Sequence, residues 1–311
     1  MEKLKIKSLI SCADLTLKEY QIIFKLTEEL KKKQKKGIRH HILSGKTLGM
    51  IFEKSSTRTR VSFEVGMYQL GGHALYLSSN DLQLGRGETI ADTAKVMSRY
   101  VDGIMARTYA HKTVEDLALF GSVPVINGLS DQEHPCQVIC DYFTVKEKLG
   151  KLKGVKFAYL GDGNNMAHSL YLAGAILGID LSFAHPEGYM PDKDVIIRAK
   201  EFAKKSGSKI EIYLDPVKAV KDADVVYTDV WTSMGQEKEK IKRLKDFKHY
   251  QINAELMKNA KKKALVMHCL PAHRGEEITD EVIDGPNSIV FDEAENRLHT
   301  QKAVMALLMS K

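Results

Sequence analysis

Short apolar runs alternate with longer amphipathic stretches along most of this chain. The short runs are rich in Val, Ile and Leu, as is typical of strands buried on both faces, and the longer stretches repeat apolar residues with helical spacing. This alternation predicts parallel sheets covered by helices. The predicted strands are residues 48–51, 74–77, 103–106, 123–126, 155–160, 181–184, 210–213, 225–227 and 264–267.

The predicted helices fall into two series, separated by the glycine-containing residues 150–154. The first helix, residues 14–36, has a capping box formed by Thr16 and Glu19 and ends at Gly37. We therefore predict the α/β fold class with two domains, residues 1–149 and 150–292, each a parallel sheet flanked by helices. The other predicted helices are residues 61–70, 89–101, 113–120, 135–149, 166–177, 192–205 and 293–309.

Composition is typical of a globular protein. Of the 311 residues, 43% are hydrophobic and 28% are charged. No apolar run reaches the ~18 residues that a membrane span needs, and the charged N-terminus lacks the apolar core of a signal peptide. We therefore predict a cytoplasmic protein that has no membrane partner.

The net charge of +7 raises the question of nucleic-acid binding. The excess lies largely in two lysine-rich runs, residues 31–36 and 261–263, at the ends of predicted helices. Positive charge there complements the helix dipole, and neither run is interleaved with aromatic residues. We interpret the runs as solvated helix ends and predict no nucleic-acid partner.

The cysteines do not indicate a disulfide scaffold or a metal centre. Cys12, Cys136, Cys140 and Cys269 are too few and too scattered for a disulfide scaffold, and although Cys136 and Cys140 would lie one helical turn apart, the sequence has no C-x-x-C pair. We therefore predict no metal site.

Two glycine motifs resemble nucleotide-binding sites but lack essential residues. Residues 44–47 look like the end of a P-loop, yet His40 stands where the first glycine is required. Residues 161–166 follow a predicted strand, as a dinucleotide fingerprint would, but Met166 replaces the third glycine. His185, rather than an acid, follows the next strand, so we do not predict NAD binding.

Residues 56–60 concentrate hydroxyls and guanidiniums at a predicted helix start, shortly after the strand at 48–51. A helix N-terminus offers unpaired N–H groups and a partial positive charge, and Ser, Thr and Arg add donors that fit phosphate oxygens. The segment predicts a phosphate-binding site. An ordinary helix cap with two solvated arginines is the alternative.

Other polar residues also follow predicted strands, where open α/β sheets bind their ligands. Arg107 and His134 do so in the first domain. In the second domain, Asn165 and Asp229 offer the amide and carboxylate that an amino-acid substrate needs. Cys269 follows the last strand among histidines and an arginine, which suits a reactive thiol, with a buried inert cysteine as the alternative.

The motifs at these positions resemble those of the aspartate/ornithine carbamoyltransferase family, and of its ornithine branch in particular. They are Ser-Thr-Arg-Thr-Arg at 56–60, His-Pro-Cys-Gln at 134–137, Asp-x-x-x-Ser-Met-Gly at 229–235 and His-Cys-Leu-Pro-x-His-Arg-Gly-x-Glu-Ile at 268–278. The resemblance covers the whole chain. It implies that a C-terminal helix, residues 293–311, crosses back to the first domain.

The resemblance implies transfer of the carbamoyl group from carbamoyl phosphate to the δ-amine of L-ornithine, giving L-citrulline and phosphate in arginine metabolism. No cofactor is implied, because the leaving group is already activated. The first domain is expected to bind carbamoyl phosphate and the second to bind ornithine. A homo-oligomer, a trimer or a multiple of trimers, is also implied, in which the loop at 81–88 reaches the active site of the adjacent subunit.

The resemblance also implies the residues of the site. Those expected to bind carbamoyl phosphate are Ser56, Thr57, Arg58, Thr59, Gln83, Arg107, His134, Pro135, Cys136, Gln137, Cys269, Leu270 and Arg297. Those expected to bind ornithine are Asn165, Asp229, Ser233 and Met234. Catalytic roles are expected for Arg58, Arg107, His134, Asp229 and Cys269.

The attacking δ-amine must first lose a proton. With a lysine-like pKa of about 10.4, deprotonation at neutral pH costs about 4 kcal/mol. Cys269, helped by Asp229, or a phosphate oxygen would accept this proton, and the sequence leaves both open. A relative that uses putrescine or an acetylated ornithine would need a different lid at 233–235. A regulatory homologue would be expected to lack Arg58, His134 or Cys269, and all three are present.

Overall fold

A computed structural model describes residues 2–82, 87–233 and 235–310. The chain forms two compact units. The first contains the chain up to Phe143 and the segment from Glu295 onward, and the second is Thr144–Ala294. Each unit is built on a parallel sheet, which confirms the predicted fold class. The domain bounds predicted from the sequence, 1–149 with 293–311 and 150–292, remain a prediction.

The described residues of the first unit form a four-stranded sheet. Its strands are β1 (Thr47–Phe52), β2 (His73–Ser78), β3 (Gly103–Arg107) and β4 (Val125–Leu129). They are parallel and lie in the order β2-β1-β3-β4. The central strands β1 and β3 are almost wholly buried, whereas the edge strand β2 is largely exposed.

The helices that precede or connect these strands are α1 (Leu17–Lys35), α2 (Thr57–Gln69), α3 (Ile90–Met97), α4 (His111–Phe120) and α5 (Pro135–Leu149). The predicted capping box of α1 is present, because Thr16 and Glu19 each accept a backbone N–H from the other. The predicted start of α2 at residue 61 is wrong. The Ser56 hydroxyl accepts the Thr59 N–H at 3.3 Å and so begins the helix four residues earlier.

The C-terminal helix α12 (Val290–Met309) packs on the first unit from Glu295 onward. Asn296 Oδ1 accepts a hydrogen bond from Lys31 Nζ of α1 at 2.7 Å. Gln301 Nε2 donates to Ser62 Oγ of α2 at 2.8 Å. Together with a contact to α5 described below, these bonds confirm that the helix returns to the first domain.

The described residues of the second unit form a five-stranded parallel sheet in the order β7-β6-β5-β8-β9. Four of its helices have seven residues or fewer, too short for the helical period to show in the sequence, and they were not predicted. The strands are β5 (Lys156–Leu160), β6 (Asp180–Ala184), β7 (Ile210–Tyr213), β8 (Val225–Thr228) and β9 (Leu265–His268). The helices are α6 (Asn165–Leu177), α7 (Lys193–Ser206), α8 (Pro216–Val220), α9 (Lys240–Asp246), α10 (Ala254–Met257) and α11 (Asp280–Ile283).

Helix α6 is buried on almost every side, because its residues are apolar all round. The side chain of Asn164 caps it by accepting the N–H groups of Met166 and Ala167. Gly178 ends it with a φ of 77°, the left-handed conformation that glycine adopts readily. In the part of the chain that the structure describes, no helix is both long and apolar enough to cross a bilayer.

Candidate active site

Several predicted site residues follow the strands between which each sheet reverses its strand order. In the first unit the reversal is between β1 and β3, residues 56–59 follow β1, and Arg107 ends β3. In the second unit it is between β5 and β8, residues 162–165 follow β5, and Asp229 follows β8. Open α/β sheets bind their ligands at such switch points.

Two sets of side chains make up the candidate site. The guanidinium cluster is Arg58, Thr59, Arg107, His134, Gln137 and Arg297, and the carboxylate cluster is Asp162, Asn164, Asp229 and Cys269.

Arg297 holds the guanidinium cluster together. It is almost completely buried, and it donates to Gln137 of α5, to Thr59 Oγ1 at 3.4 Å and to Gln301 Oε1 at 2.8 Å. All three acceptors are neutral. A buried guanidinium bonded only to neutral oxygens keeps its positive charge uncompensated, which is costly unless an anion binds to it. The cluster therefore suits an anionic ligand.

The start of α2 adds donors to this cluster. Thr57, Arg58 and Thr59 form its first turn, without an acidic residue, and Arg58 remains partly accessible. Burial, and next the charge of Arg107, lowers the pKa of Lys54 just before this turn. Positive potential therefore accumulates at the helix N-terminus, as expected of a phosphate-binding site.

His134 lies buried among these guanidiniums. Burial, followed by the charges of Arg297, Arg107 and Arg58, holds its pKa well below the ordinary value. The imidazole is therefore neutral at physiological pH and carries a single N–H that can donate to a carbonyl oxygen. The arrangement brings His134 together with the three arginines predicted from the sequence.

Cys136 follows Pro135, the first residue of α5. Its Sγ donates to Asn127 O at 3.3 Å, and burial raises the pKa of the thiol to about 12. The thiol is therefore protonated at neutral pH and is directed toward the chain's own backbone.

The carboxylate cluster centres on Asp229. Its Oδ1 accepts hydrogen bonds from Cys269 Sγ at 2.9 Å and from Val230 N at 2.8 Å, and its Oδ2 accepts from Asn164 Nδ2 at 3.1 Å. The structure thus brings the predicted Asp229 and Cys269 together. Asn165 is the first residue of α6, whereas its neighbour Asn164, which was not predicted, bonds directly to Asp229.

Sequence reasoning also missed Arg243 of α9. This buried guanidinium donates from Nη1 to Asp162 Oδ2 at 2.7 Å and to Trp231 O at 2.9 Å, and from Nε to Glu239 Oε2 at 2.9 Å. Burial raises the pKa of Asp162, and the charge of Arg243 opposes that rise. Arg243 therefore ties the loop after β5 to the loop after β8. No pattern in the sequence indicates this role, because the lysine-rich segment 238–248 resembles a solvated surface helix.

The loop after β9 has a strained backbone at Leu270, whose φ is 55°. A left-handed conformation at a residue other than glycine costs on the order of 1–3 kcal/mol. The Leu270 N–H donates to His268 Nδ1 at 2.8 Å, so Nε2 carries the proton of this imidazole and donates to Glu277 Oε1 at 2.9 Å. His268 and Glu277 are buried, and this chain of bonds fixes the backbone next to Cys269.

Gly163 explains the motif that looked like a dinucleotide fingerprint. A Cβ at this position would lie 2.2 Å from Pro191 N and 2.4 Å from Met190 C. The Gly163 N–H also donates to Tyr189 O at 2.9 Å. A glycine is therefore needed because the backbone of residues 189–191 packs directly against this position, and not because a pyrophosphate must approach it.

Two predicted site residues, Gln83 and Met234, lie outside the described residues. Next to the second of them, Ser233 N donates to Gln236 Oε1 at 3.1 Å, and Gly235 N donates to Glu237 Oε1 at 2.9 Å. Side-chain acceptors thus hold the backbone on either side of that position.

Both halves of the chain match family models. The model described as "Aspartate/ornithine carbamoyltransferase, carbamoyl-P binding domain" matches residues 7–147. The model described as "Aspartate/ornithine carbamoyltransferase, Asp/Orn binding domain" matches residues 153–308.

Individual relatives are similar over nearly their full length. The ornithine carbamoyltransferase of Pyrococcus horikoshii is 62% identical over 306 residues, which are 98% of this chain and 96% of the relative. A Pyrococcus furiosus protein named "Ornithine carbamoyltransferase, anabolic" is 61% identical over 303 residues, which are 97% of this chain and 96% of the relative. The solved structure of the Pyrococcus furiosus ornithine carbamoyltransferase has a TM-score of 0.96 at 60% identity and covers 99% of each chain.

Proposed function

The chain belongs to the aspartate/ornithine carbamoyltransferase family, and from that premise we propose that it transfers the carbamoyl group of carbamoyl phosphate to the δ-amine of L-ornithine. The products are L-citrulline and phosphate, and the reaction needs no cofactor. Because the relative from Pyrococcus furiosus bears the name anabolic, we assign the citrulline to arginine biosynthesis.

The observation that carries this proposal is the contact of Asp229 with Cys269 and Asn164. The family includes enzymes for two acceptors, aspartate and ornithine. A buried carboxylate attracts an ammonium group of ornithine and repels the additional carboxylate of aspartate. The carboxylate cluster therefore favours ornithine as the acceptor.

The guanidinium cluster is assigned to carbamoyl phosphate. Arg58 and Arg107 would bind the phosphate oxygens, and the positive charge of the buried Arg297 would attract the phosphate. Negative charge grows on the phosphate as its bond to the carbamoyl carbon breaks, and each hydrogen bond to a charged group is worth about 1.5–3 kcal/mol. The further phosphate ligands that we propose are Ser56, Thr57, Thr59 and, from the adjacent subunit, Gln83.

A second set of groups is assigned to the carbamoyl moiety. The neutral His134 would donate its N–H to the carbonyl oxygen, with Arg107 beside it, and so stabilise the oxyanion that forms when the amine attacks. The amide of the carbamoyl group would be held by Gln137 and by the strained backbone at Leu270. The backbone of Pro135 and Cys136 would complete this pocket.

The amine must lose a proton before it attacks the carbonyl carbon. The Cys269 thiol already donates to Asp229 Oδ1, so a proton accepted by sulfur requires that the thiol proton first pass to that carboxylate. The C–N bond then forms and the C–O bond to phosphate breaks. An oxygen of the departing phosphate is the other acceptor of the amine proton, and substitution of Cys269 by Ala distinguishes the two through the alkaline limb of the pH profile.

We also propose that the enzyme is a homotrimer, or a multiple of trimers, that acts in the cytosol. Exposed apolar side chains on β2 and α2 support a subunit contact near the loop at 81–88. They include Leu75, Tyr76 and Tyr68. The first domain would supply the carbamoyl-phosphate site and the second the ornithine site.

The test is the initial rate of citrulline formation by the purified full-length protein, with Arg58→Gln as the variant. Loss of a preorganised donor at the leaving group should lower kcat by about 10²–10³-fold. Arg99→Gln, which removes an exposed guanidinium from the same unit, is the matched control and should stay within twofold of wild type. Absence of citrulline formation by the wild type, or equal losses in both variants, would contradict the proposal.

A further inference from the structure

The segment between β9 and α11 brings three metal-ligating side chains together. His273, Glu276 and Glu277 each offer one ligand atom, and these atoms lie within 4.8 Å of one another. Gly275 forms the turn between them with a φ of 85°, and its N–H donates to Ile278 O at 2.9 Å. None of the three has a role in the proposed reaction.

Three polar atoms of this cluster are buried and, among the described residues, have no hydrogen-bond partner. They are His273 Nδ1, Glu276 Oε2 and Glu277 Oε2, but the first two lie 3.4 Å apart and form an ion pair when the imidazole is protonated, so Glu277 Oε2 is the atom that lacks a partner in the described part of the chain. Glu277 is completely buried, and its other oxygen accepts hydrogen bonds from His268 Nε2 at 2.9 Å and from His273 N at 2.6 Å. A buried carboxylate oxygen without a donor is rare in folded proteins and indicates a missing partner.

The cations nearby do not fill this role. Arg274 is turned outward and bonds Asp280 at 2.7 Å and Asp284 at 2.9 Å. Lys240 Nζ lies 3.0 Å from Glu276 Oε1, which is not the oxygen that lacks a partner. Among the residues that the structure describes, Lys240 is therefore the one ammonium that the two carboxylates share, and with a neutral His273 one negative charge is left uncompensated.

We propose that His273, Glu276 and Glu277 bind a divalent metal ion of the Zn²⁺, Mn²⁺ or Co²⁺ type. One imidazole nitrogen and two carboxylate oxygens suit these ions, and solvent completes the coordination. The side chain of His273 is 42% exposed, so ions can enter from solvent. Ligand atoms in a tetrahedral zinc site lie roughly 3.3 Å apart, so binding tightens the turn slightly.

The ion would be linked to the reacting loop through Glu277. This carboxylate would bind the metal with one oxygen while the other accepts from His268, and His268 accepts from the Leu270 N–H. Hydrogen-bonded carboxylate–imidazole pairs of this kind orient groups around protein metal sites. Metal occupancy therefore bears on the backbone beside Cys269, although none of its ligands touches a substrate.

The experiment uses the full-length protein after treatment with a chelator, and Co²⁺ as the probe. Calorimetry should give one ion per chain, and His273→Gln and Glu276→Gln should each raise the dissociation constant at least tenfold. Glu255→Gln is the matched control, because Glu255 is exposed and paired with Lys258, and it should bind as wild type does. His273→Gln changes a half-exposed side chain, so its effect is readable even if Glu276→Gln folds poorly.

A Cys269→Ser variant separates this site from the nearby thiol. The proposed site contains no sulfur, so the variant should still bind Co²⁺, and the wild-type spectrum should lack a thiolate-to-cobalt charge-transfer band. The proposal is overturned if no saturable binding occurs, or if Cys269→Ser abolishes binding while His273→Gln leaves it intact. These measurements do not depend on citrulline formation, so the cation site and the proposed reaction can fail separately.

Discussion

The guanidinium cluster and the carboxylate cluster occupy equivalent places in two similar sheets, yet they bury opposite charges. Within the described residues, the partners of Arg297 are all neutral oxygens, and the hydrogen bonds to Asp229 come from a thiol, an amide and a backbone N–H. Each cluster therefore contains a buried charge, that of Arg297 or that of Asp229, whose hydrogen-bond partners are neutral. The sheet topology determines where a ligand can bind, and the buried charge of each cluster determines whether an anionic or a cationic group is favoured there.

The two clusters differ in what supports them. Arg297 reaches the guanidinium cluster from α12, at the far end of the sequence. The carboxylate cluster is supported from within its own unit by Arg243, which neutralises Asp162 but leaves Asp229 without a cation. A substitution at either support should therefore disturb one substrate more than the other. The last of the following predictions tests this at Arg243, and the first two test the charges of the two units.

The largest effect is expected from Asp229→Asn. It removes the charge that faces the amine and the acceptor of the Cys269 proton, so kcat should fall by about 10²–10⁴-fold. The affinity for phosphate, measured by calorimetry, should be unchanged because the guanidinium cluster is intact. Asp246→Asn, which removes a carboxylate bonded to Tyr189 in the same unit, is the control. A loss of phosphate affinity in Asp229→Asn would break the proposed division between the clusters.

The next effect concerns Lys302, a second buried cation of α12. Burial lowers its pKa to about 8, so between pH 8 and 10.5 the unfolded chain binds more protons than the folded one. Stability should therefore rise with pH across this window, by up to about 3 kcal/mol from this group.

Lys302→Met should remove that rise, as urea unfolding at several pH values would show, while Lys95→Met on the exposed face of α3 retains it. An equal pH dependence in wild type and Lys302→Met would mean that burial does not lower the pKa of this lysine in the first unit.

The smallest effect is expected from Arg243→Lys. It keeps the charge but cannot bond Asp162, Trp231 and Glu239 together in the geometry of the guanidinium. The KM for ornithine should rise about tenfold, equivalent to about 1.4 kcal/mol, with the KM for carbamoyl phosphate unchanged. Arg198→Lys, on the exposed face of α7, is the control. A parallel rise of both KM values would argue for a general loss of structure instead.

Local patterns in the sequence were enough to predict much of this arrangement. Arg107 and Asp229 follow buried strands, and strand ends are where such sheets bind ligands. The predicted start of α2 was wrong, because it was placed at the first apolar residue, Val61, although the Ser56 side chain caps a helix that begins four residues earlier. Short helices such as α10 escaped prediction, since four residues do not complete two turns.

What escaped prediction depends on long-range packing. The burial of Arg243 follows from its neighbours in space, and its sequence context is that of a solvated helix. Gly163 looked like a phosphate-binding glycine until the backbone at 189–191 was seen against it. The absence of a metal site was predicted from cysteine spacing and stays a prediction, but cysteine spacing carries no information about the turn that brings His273, Glu276 and Glu277 together.

The path of α12 has a consequence for biosynthesis. Residues 290–294 of this helix belong to the second unit, and from Glu295 it belongs to the first. Thr59 and Arg297 are 238 positions apart. A nascent chain on the ribosome therefore completes the first domain last, after the second domain has already emerged. Chains that terminate early would carry an unfinished first domain and should be substrates for chaperones and proteases rather than partly active enzymes.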